Sequence, residues 1–164
     1  MVNIAILASG TGSNAKQLLN HFKNHPTVQI SLIATNKMEA GVLHFADEFG
    51  VEKLTFTATE LKEGKVLQVL QSKKIDCIVL AGFLALIPAA LVAAYSDKII
   101  NIHPSLLPKY GGKGMYGHFV HEAVLANNES TSGMSIHLVN EEFDKGKILF
   151  QASTRLAPKD DASI

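Results

Sequence analysis

The chain has no tryptophan, a single cysteine and only five prolines in 164 residues, and its 15 basic side chains are matched by 15 acidic ones. Each shortage excludes something. A lone cysteine, Cys77, cannot build an internal disulfide framework, and it points to a reducing compartment with the cytoplasm as the default. A net charge of zero offers no basic surplus for a nucleic acid or an anionic membrane surface. The longest apolar stretch, residues 77–94, is interrupted by Gly82 and Pro88 and begins as a short buried strand, so no membrane-spanning helix is expected. The opening MVNIAILASG lacks the basic start of a secretory leader and runs straight into a glycine loop. Repeats, low-complexity tracts and linkers are missing too. What remains is 47% apolar, an ordinary composition for a folded chain, and residues 1–164 are expected to form one domain.

Along the chain, short apolar runs alternate with segments of helical period. Strands are expected at residues 2–8, 28–35, 53–56, 77–81 and 99–102. Helices are expected at 15–25, 41–49, 61–73 and 88–95, the first stopped before Pro26 and the last opened by Pro88. This order implies an α/β fold, a doubly wound parallel sheet with helices on both faces. Near the C-terminus the pattern changes: residues 134–139 and 148–152 are two apolar runs close together, which suggests an antiparallel addition. Open sheets of this kind bind ligands at the carboxyl ends of their strands, here after Ala8, Leu80 and Ile102.

At the first of these places lies Ser9-Gly10-Thr11-Gly12-Ser13-Asn14, between the first strand and the first helix. Glycines admit an anion close to the backbone, and a helix start presents free N–H groups, so a phosphate is the natural guest. Ser13 and Asn14 are also residue types that cap helices. A dinucleotide is a weaker reading, because the second strand ends at Thr35-Asn36 without the acid that a ribose needs. A plain tight turn with no ligand is the other reading, ahead of the dinucleotide. The lysine of a Walker loop is missing.

At the third place, Asn101 and His103 lie two apart at a strand end and so share a face. A carboxamide beside an imidazole suits acyl transfer: one donates to a developing oxyanion, the other carries a proton. Alone, such a histidine is more often structural. Asp144 can supply an orienting carboxylate, although an Asp near a glycine is also ordinary turn chemistry. His118 and His121 share a helical face with Glu122 but lack a third ligand at a recognised spacing, so a solvated face is preferred to a metal site. Cys77 is expected to be inert core, His137 a satisfied polar residue near the site, and His21, His25 and His44 surface positions. The apolar stretch after Gly82 is either core or the wall of a pocket for a flat heterocycle.

Taken in order, these motifs resemble one family over nearly the whole chain, the phosphoribosylglycinamide formyltransferases. They are residues 4–14, Val79-Leu80-Ala81-Gly82-Phe83, Asn101-Ile102-His103-Pro104-Ser105-Leu106-Leu107-Pro108-Lys109-Tyr110, Gly133-Met134-Ser135-Ile136-His137, and Asp144 with Gly146. The resemblance implies a Rossmann-like formyltransferase fold and two small-molecule substrates, glycinamide ribonucleotide and 10-formyltetrahydrofolate, with no metal, nucleic acid or membrane. Asn101, His103 and Asp144 would be catalytic. Thr11, Gly12, Ser13 and Asn14 would hold the ribonucleotide phosphate. The folate would contact Leu84, Ala85, Leu86, Ile87, Val92, Asn101, Val139, Asn140, Glu141 and Phe143. A monomer or homodimer is implied.

Three features depart from the family pattern. Residues 111–117 are longer and richer in glycine, and are expected to form a mobile flap. Ala85 stands where some members carry Arg, and the chain stops at Ile164, before a last helix that members carry and that helps to bind the ribonucleotide. Relatives that formylate methionyl-tRNA or hydrolyse formyltetrahydrofolate share the Asn-x-His and Asp core. The first is disfavoured by neutral charge and the early phosphate loop, the second by Pro104 where that group carries another His. A non-catalytic nucleotide-binding module is a further alternative, and a dehydrogenase ranks last.

Overall fold

The computed structural model describes residues 1–157 and 159–162. These residues build a seven-stranded sheet in the order β3-β2-β1-β4-β5-β6-β7. The strands are β1 (Val2–Leu7), β2 (Val28–Thr35), β3 (Glu52–Thr55), β4 (Cys77–Leu80), β5 (Ile99–His103), β6 (Thr131–Leu138) and β7 (Ile148–Arg155). The first five run parallel to their neighbours, whereas β6 pairs antiparallel with β5 and β7 antiparallel with β6. The expected parallel sheet with an antiparallel addition is therefore present, with both added strands longer than their apolar runs.

Helices cover both faces: α1 (Ser13–Phe22), α2 (Val42–Phe49), α3 (Ala58–Lys62), α4 (Lys65–Ser72), α5 (Ala89–Ala94) and α6 (His118–Ala126). The alternation along β1 and into Ala8, the residue after it, shows why two layers are needed. Ile4, Ile6 and Ala8 pack with Ala15 and Leu19 of α1 and Val42 and Ala46 of α2. Ala5 and Leu7 pack on the opposite side with Val66 and Leu70 of α4 and Leu91 of α5. Burying one such large aliphatic side chain is worth about 1.5–3 kcal/mol, which a strand with one wet face could collect on only half its residues.

One expected helix is in fact two. A single helix over residues 61–73 is replaced by α3 and α4. Thr57 and Glu60 form a reciprocal capping box, with Glu60 N–H donating to Thr57 Oγ1 at 3.2 Å and Thr57 N–H donating to Glu60 Oε2 at 2.8 Å. That box starts the helix earlier than its apolar period suggests, and α4 then begins afresh after Gly64.

The strand order reverses between β1 and β4, since β2 leaves β1 on one side and β4 joins it on the other. The crevice at the carboxyl ends of these strands is where such a sheet receives ligands.

Candidate active site

Ser9, only 3% exposed, ties together the three loops that leave β1, β2 and β4. Its hydroxyl donates to Asn36 Oδ1 at 2.7 Å and accepts from the Leu84 N–H at 3.1 Å, while its own N–H donates to the Gly82 carbonyl at 3.0 Å. One small side chain thus fixes the glycine loop against the apolar loop that begins at Leu84.

Gly12, not Ser13 or Asn14, occupies the N-cap of α1, and no side chain caps this helix. The Lys16 N–H closes on the Gly12 carbonyl at 2.8 Å, so the N–H groups of residues 13–15 precede the first intrahelical bond and can face a ligand. Gly12 also has a packing reason to be glycine. Its φ is +83°, and a Cβ there would sit 2.8 Å from Val42 on α2. The turn reading and the anion reading therefore apply to one and the same loop. Gly10, Ser13 and Asn14 line the main cavity, whereas Thr11 lines a neighbouring recess beside Lys37 and Gly41, and Gly12 is buried beneath.

The far end of the crevice is built from side chains. In the antiparallel register of β5 and β6, Asn101 lies opposite His137 and His103 opposite Ser135, which places both imidazoles and the carboxamide on one face. Asp144 reaches this face from the loop between β6 and β7. Its Oδ1 lies 3.3 Å from Asn101 Nδ2, 3.4 Å from His137 Nε2 and 3.5 Å from His103 Nδ1. Its Oδ2 accepts from the Gly112 N–H at 2.9 Å. Gly146 lets this loop turn back, because a Cβ there would overlap the Leu138 carbonyl outright.

Charge and tautomer follow from these partners. Burial pushes the Asp144 carboxyl up, but the adjoining His137 and His103 imidazoles and the hydrogen bond from the Gly112 N–H more than offset this, so the group stays below the usual carboxylate range. His103, 3% exposed, places Nε2 2.8 Å from the Tyr110 carbonyl. His137, 2% exposed, places Nδ1 2.8 Å from the Leu138 carbonyl. A carbonyl only accepts, so His103 carries a hydrogen on Nε2 and His137 carries one on Nδ1. His137 Nε2 is then free to accept from Asn101 Nδ2 at 3.0 Å, which fixes the orientation of the carboxamide.

Both ends open into one cavity of about 460 Å³, a size suited to a small organic ligand. Its walls include Leu84, Ala85, Leu86, Ile87, Asn101, His103, Val139, Asn140, Phe143 and Asp144, all named from the sequence. Val92 instead packs, half-buried, against the core cluster, and Glu141 is exposed off the wall while Glu142 lines it. His137, Met115, Tyr116 and His121 also line the cavity. The sequence signal for His137 was the two-residue alternation of β6, which puts it beside Ser135 on the inner face. Residues 111–117, expected as a flap, contribute Gly112, Met115, Tyr116 and Gly117 to the wall and are tied to Asp144 through Gly112.

The remaining candidates fall elsewhere. His118 Nε2 pairs with Glu122 Oε1 at 3.0 Å on the outer face of α6, and the described residues hold no metal-like group of three or more His, Cys, Asp or Glu. Cys77 is half-buried in β4, where burial raises its thiol. His21 and His44 are exposed, but His25 is half-buried and accepts the Val28 N–H at 3.1 Å. No helix among the described residues is long and apolar enough to cross a membrane.

Against this geometry, a family profile described as Formyl transferase matches residues 2–163. The chain belongs to the formyl transferase family. Within it, the chain is 38% identical over 164 residues to the chloroplastic phosphoribosylglycinamide formyltransferase of Arabidopsis thaliana, covering 96% of this chain and 56% of that protein. It is 32% identical over 157 residues to the phosphoribosylglycinamide formyltransferase of Escherichia coli, covering 92% of this chain and 72% of the relative. The chain thus spans little more than half of the plant relative's length. A crystal structure of phosphoribosylglycinamide formyltransferase from Anaplasma phagocytophilum superposes with a TM-score of 0.90 at 31% identity, covering 99% of this chain and 76% of that one.

Proposed function

We propose that the chain transfers the formyl group of 10-formyltetrahydrofolate to the amine of glycinamide ribonucleotide, a step of purine synthesis, and that residues 1–164 act as one formyltransferase domain. The observation that carries this reading is the convergence of Asn101, His103 and Asp144 at one end of a cavity whose other end is a free helix N-terminus. A substrate with a phosphate at one end and a nucleophilic amine at the other matches that separation of anion site from proton chemistry. Names of relatives support the formyl acceptor of this reading, phosphoribosylglycinamide.

In this reading the N–H groups of residues 12–14 hold the phosphate, with Thr11 beside them. The apolar loop at Leu84, Ala85, Leu86 and Ile87 faces Val139, Asn140 and Phe143 across the space for the folate, with Glu141 and Val92 flanking. The amine lone pair attacks the formyl carbon and the carbonyl pair moves onto oxygen. One Asn101 N–H stays on His137; the other, on its long 3.3 Å contact with Asp144, swings to the oxyanion. Protonated His103 places positive charge beside that oxygen. Asp144 holds His103 and, through water, passes the proton lost by the amine to the folate nitrogen as the bond between carbon and nitrogen breaks. The products are formylglycinamide ribonucleotide and tetrahydrofolate. These residues work on small molecules in a reducing, cytoplasmic setting.

The test is spectrophotometric detection of folate product from 10-formyltetrahydrofolate with and without glycinamide ribonucleotide. Release that requires the ribonucleotide is the expected result. Release without it would make the chain a hydrolase, and no release at all would leave a binding module or a domain that needs further residues to act.

A further inference from the structure

The segment after Pro108 contacts one nitrogen of the His103 ring directly and holds the carboxylate that faces the other. Tyr110 offers its carbonyl to Nε2 at 2.8 Å, and the Gly112 N–H anchors Asp144, the carboxylate facing Nδ1. Tyr110 adopts φ +56°, a left-handed conformation that a bulky residue keeps only where its surroundings enforce it. The enforcing contacts lie outside the main cavity. Glu129, between α6 and β6, accepts from the Tyr110 hydroxyl at 2.9 Å and from Lys109 Nζ at 2.7 Å through the same oxygen. Ser105 Oγ donates to the Lys109 carbonyl at 2.7 Å from the inner side. Glu129 lines a separate recess with Lys109, Tyr110 and Thr131.

We propose that Glu129 is a positioning residue: by clamping Lys109 and Tyr110 it aims the Tyr110 carbonyl at His103 and so fixes the ring with its hydrogen on Nε2. Its bearing on catalysis rests on the reading of His103 as the proton-bearing group, but the ring orientation can be measured without turnover. Hydrogen bonds from Lys109 and then Tyr110 hold the Glu129 carboxyl below the usual range, so the acceptor stays ionised at neutral pH.

The experiment uses the protein labelled with nitrogen-15 in its histidines. Proton–nitrogen correlation spectra read which His103 nitrogen bears the hydrogen, beside kcat and KM for both substrates. Glu129→Ala should shift or broaden the His103 Nε2–H signal and lower kcat about tenfold, with each KM within about twofold. Glu129→Gln, which keeps an oxygen for the Tyr110 hydroxyl, should restore most of both readouts. Tyr110→Phe should reproduce the Glu129→Ala spectrum, and the double variant should be no worse than either single one. An unmoved His103 signal in Glu129→Ala would overturn the proposal whatever kcat does. A moved signal with unchanged kcat would uphold the clamp while removing His103 from proton transfer. If Glu129→Ala does not fold, Tyr110→Phe and Glu129→Gln decide the matter by the same spectrum.

Discussion

The two ends of the cavity are made of different material. At the glycine loop the groups offered to a ligand are backbone N–H donors, and the side chain that organises them, Ser9, is buried behind. At the other end the working groups are side chains drawn from β5, β6 and the β6–β7 loop, with Asp144 joining them. A backbone site is inseparable from the fold that shapes it, whereas a side-chain site can be altered atom by atom while the fold stands. Mutations should therefore separate chemistry from stability at one end and fail to do so at the other.

The largest effect is expected at the side-chain end. Asn101→Ala should lower kcat by on the order of 10²–10³ with both KM values nearly unchanged, the usual consequence of losing an oxyanion donor. Asn101 is only half-buried, so the melting temperature should move little. A kcat within threefold of the parent would remove Asn101 from the mechanism and leave its bonds to His137 and Asp144 as architecture.

The opposite pattern is expected from Gly12→Val. The new side chain would be forced into a left-handed backbone conformation and would meet Val42 at 2.8 Å. Strain and overpacking together should cost about 3 kcal/mol, roughly 10 °C in melting temperature, along with weakened ribonucleotide binding. Calorimetry beside ribonucleotide titration checks this. Lost binding at an unchanged melting temperature would show that the loop can be altered apart from the fold, and the contrast between the two ends would collapse.

The same contrast explains how much of the protein could be read in advance. Local signals carried the strands of the parallel sheet, the glycine loop, and Asn101 with His103 on one face, because each depends on neighbours in sequence. The expected helix at 61–73 starts too late because the capping box at Thr57 and Glu60 outweighs apolar period, and it is divided because Gly64 takes a left-handed conformation, φ +82°, from which α4 begins afresh. Gly12 as the cap of α1 was missed because its cause, contact with Val42, comes from another helix. His137 was placed near the site but not opposite Asn101, since that pairing depends on the register of two strands joined by a long connection. The Tyr110 carbonyl on His103 had no side-chain signature at all. Val92 and Glu141 lie off the wall for similar reasons: sequence proximity to a wall does not tell which way a residue turns.

A gentler effect, though still a local one, is expected from Ser9→Ala. It removes the hydroxyl that joins Asn36 to Leu84 and leaves the Leu84 N–H without that acceptor. The loss should be about 1–2 kcal/mol of stability, with KM rising several-fold for both substrates because the loops of both half-sites share this tie. A rise for one substrate alone would show that the two half-sites are held independently.

Acid pH probes the comparison without any change at the glycine loop, since Gly10, Thr11, Gly12, Ser13 and Asn14 carry no side chain that titrates. Asp144 does titrate. Its carboxyl is held below its ordinary value of about 4 in the folded protein, against the opposing pull of burial. The unfolded chain therefore takes up this proton first as pH falls. The stabilisation from Asp144 is complete above the unfolded value and disappears as pH drops through the lower, folded one. Denaturant titrations of the parent and Asp144→Asn should thus show their full difference above about pH 5, with the gap narrowing from about pH 4 downward and closing only below the lower, folded value. A gap that persists unchanged to lower pH would mean that the surrounding imidazoles and the Gly112 amide do not favour the ionised carboxylate, and the hydrogen-bond pattern drawn around Asp144 would need its proton reassigned.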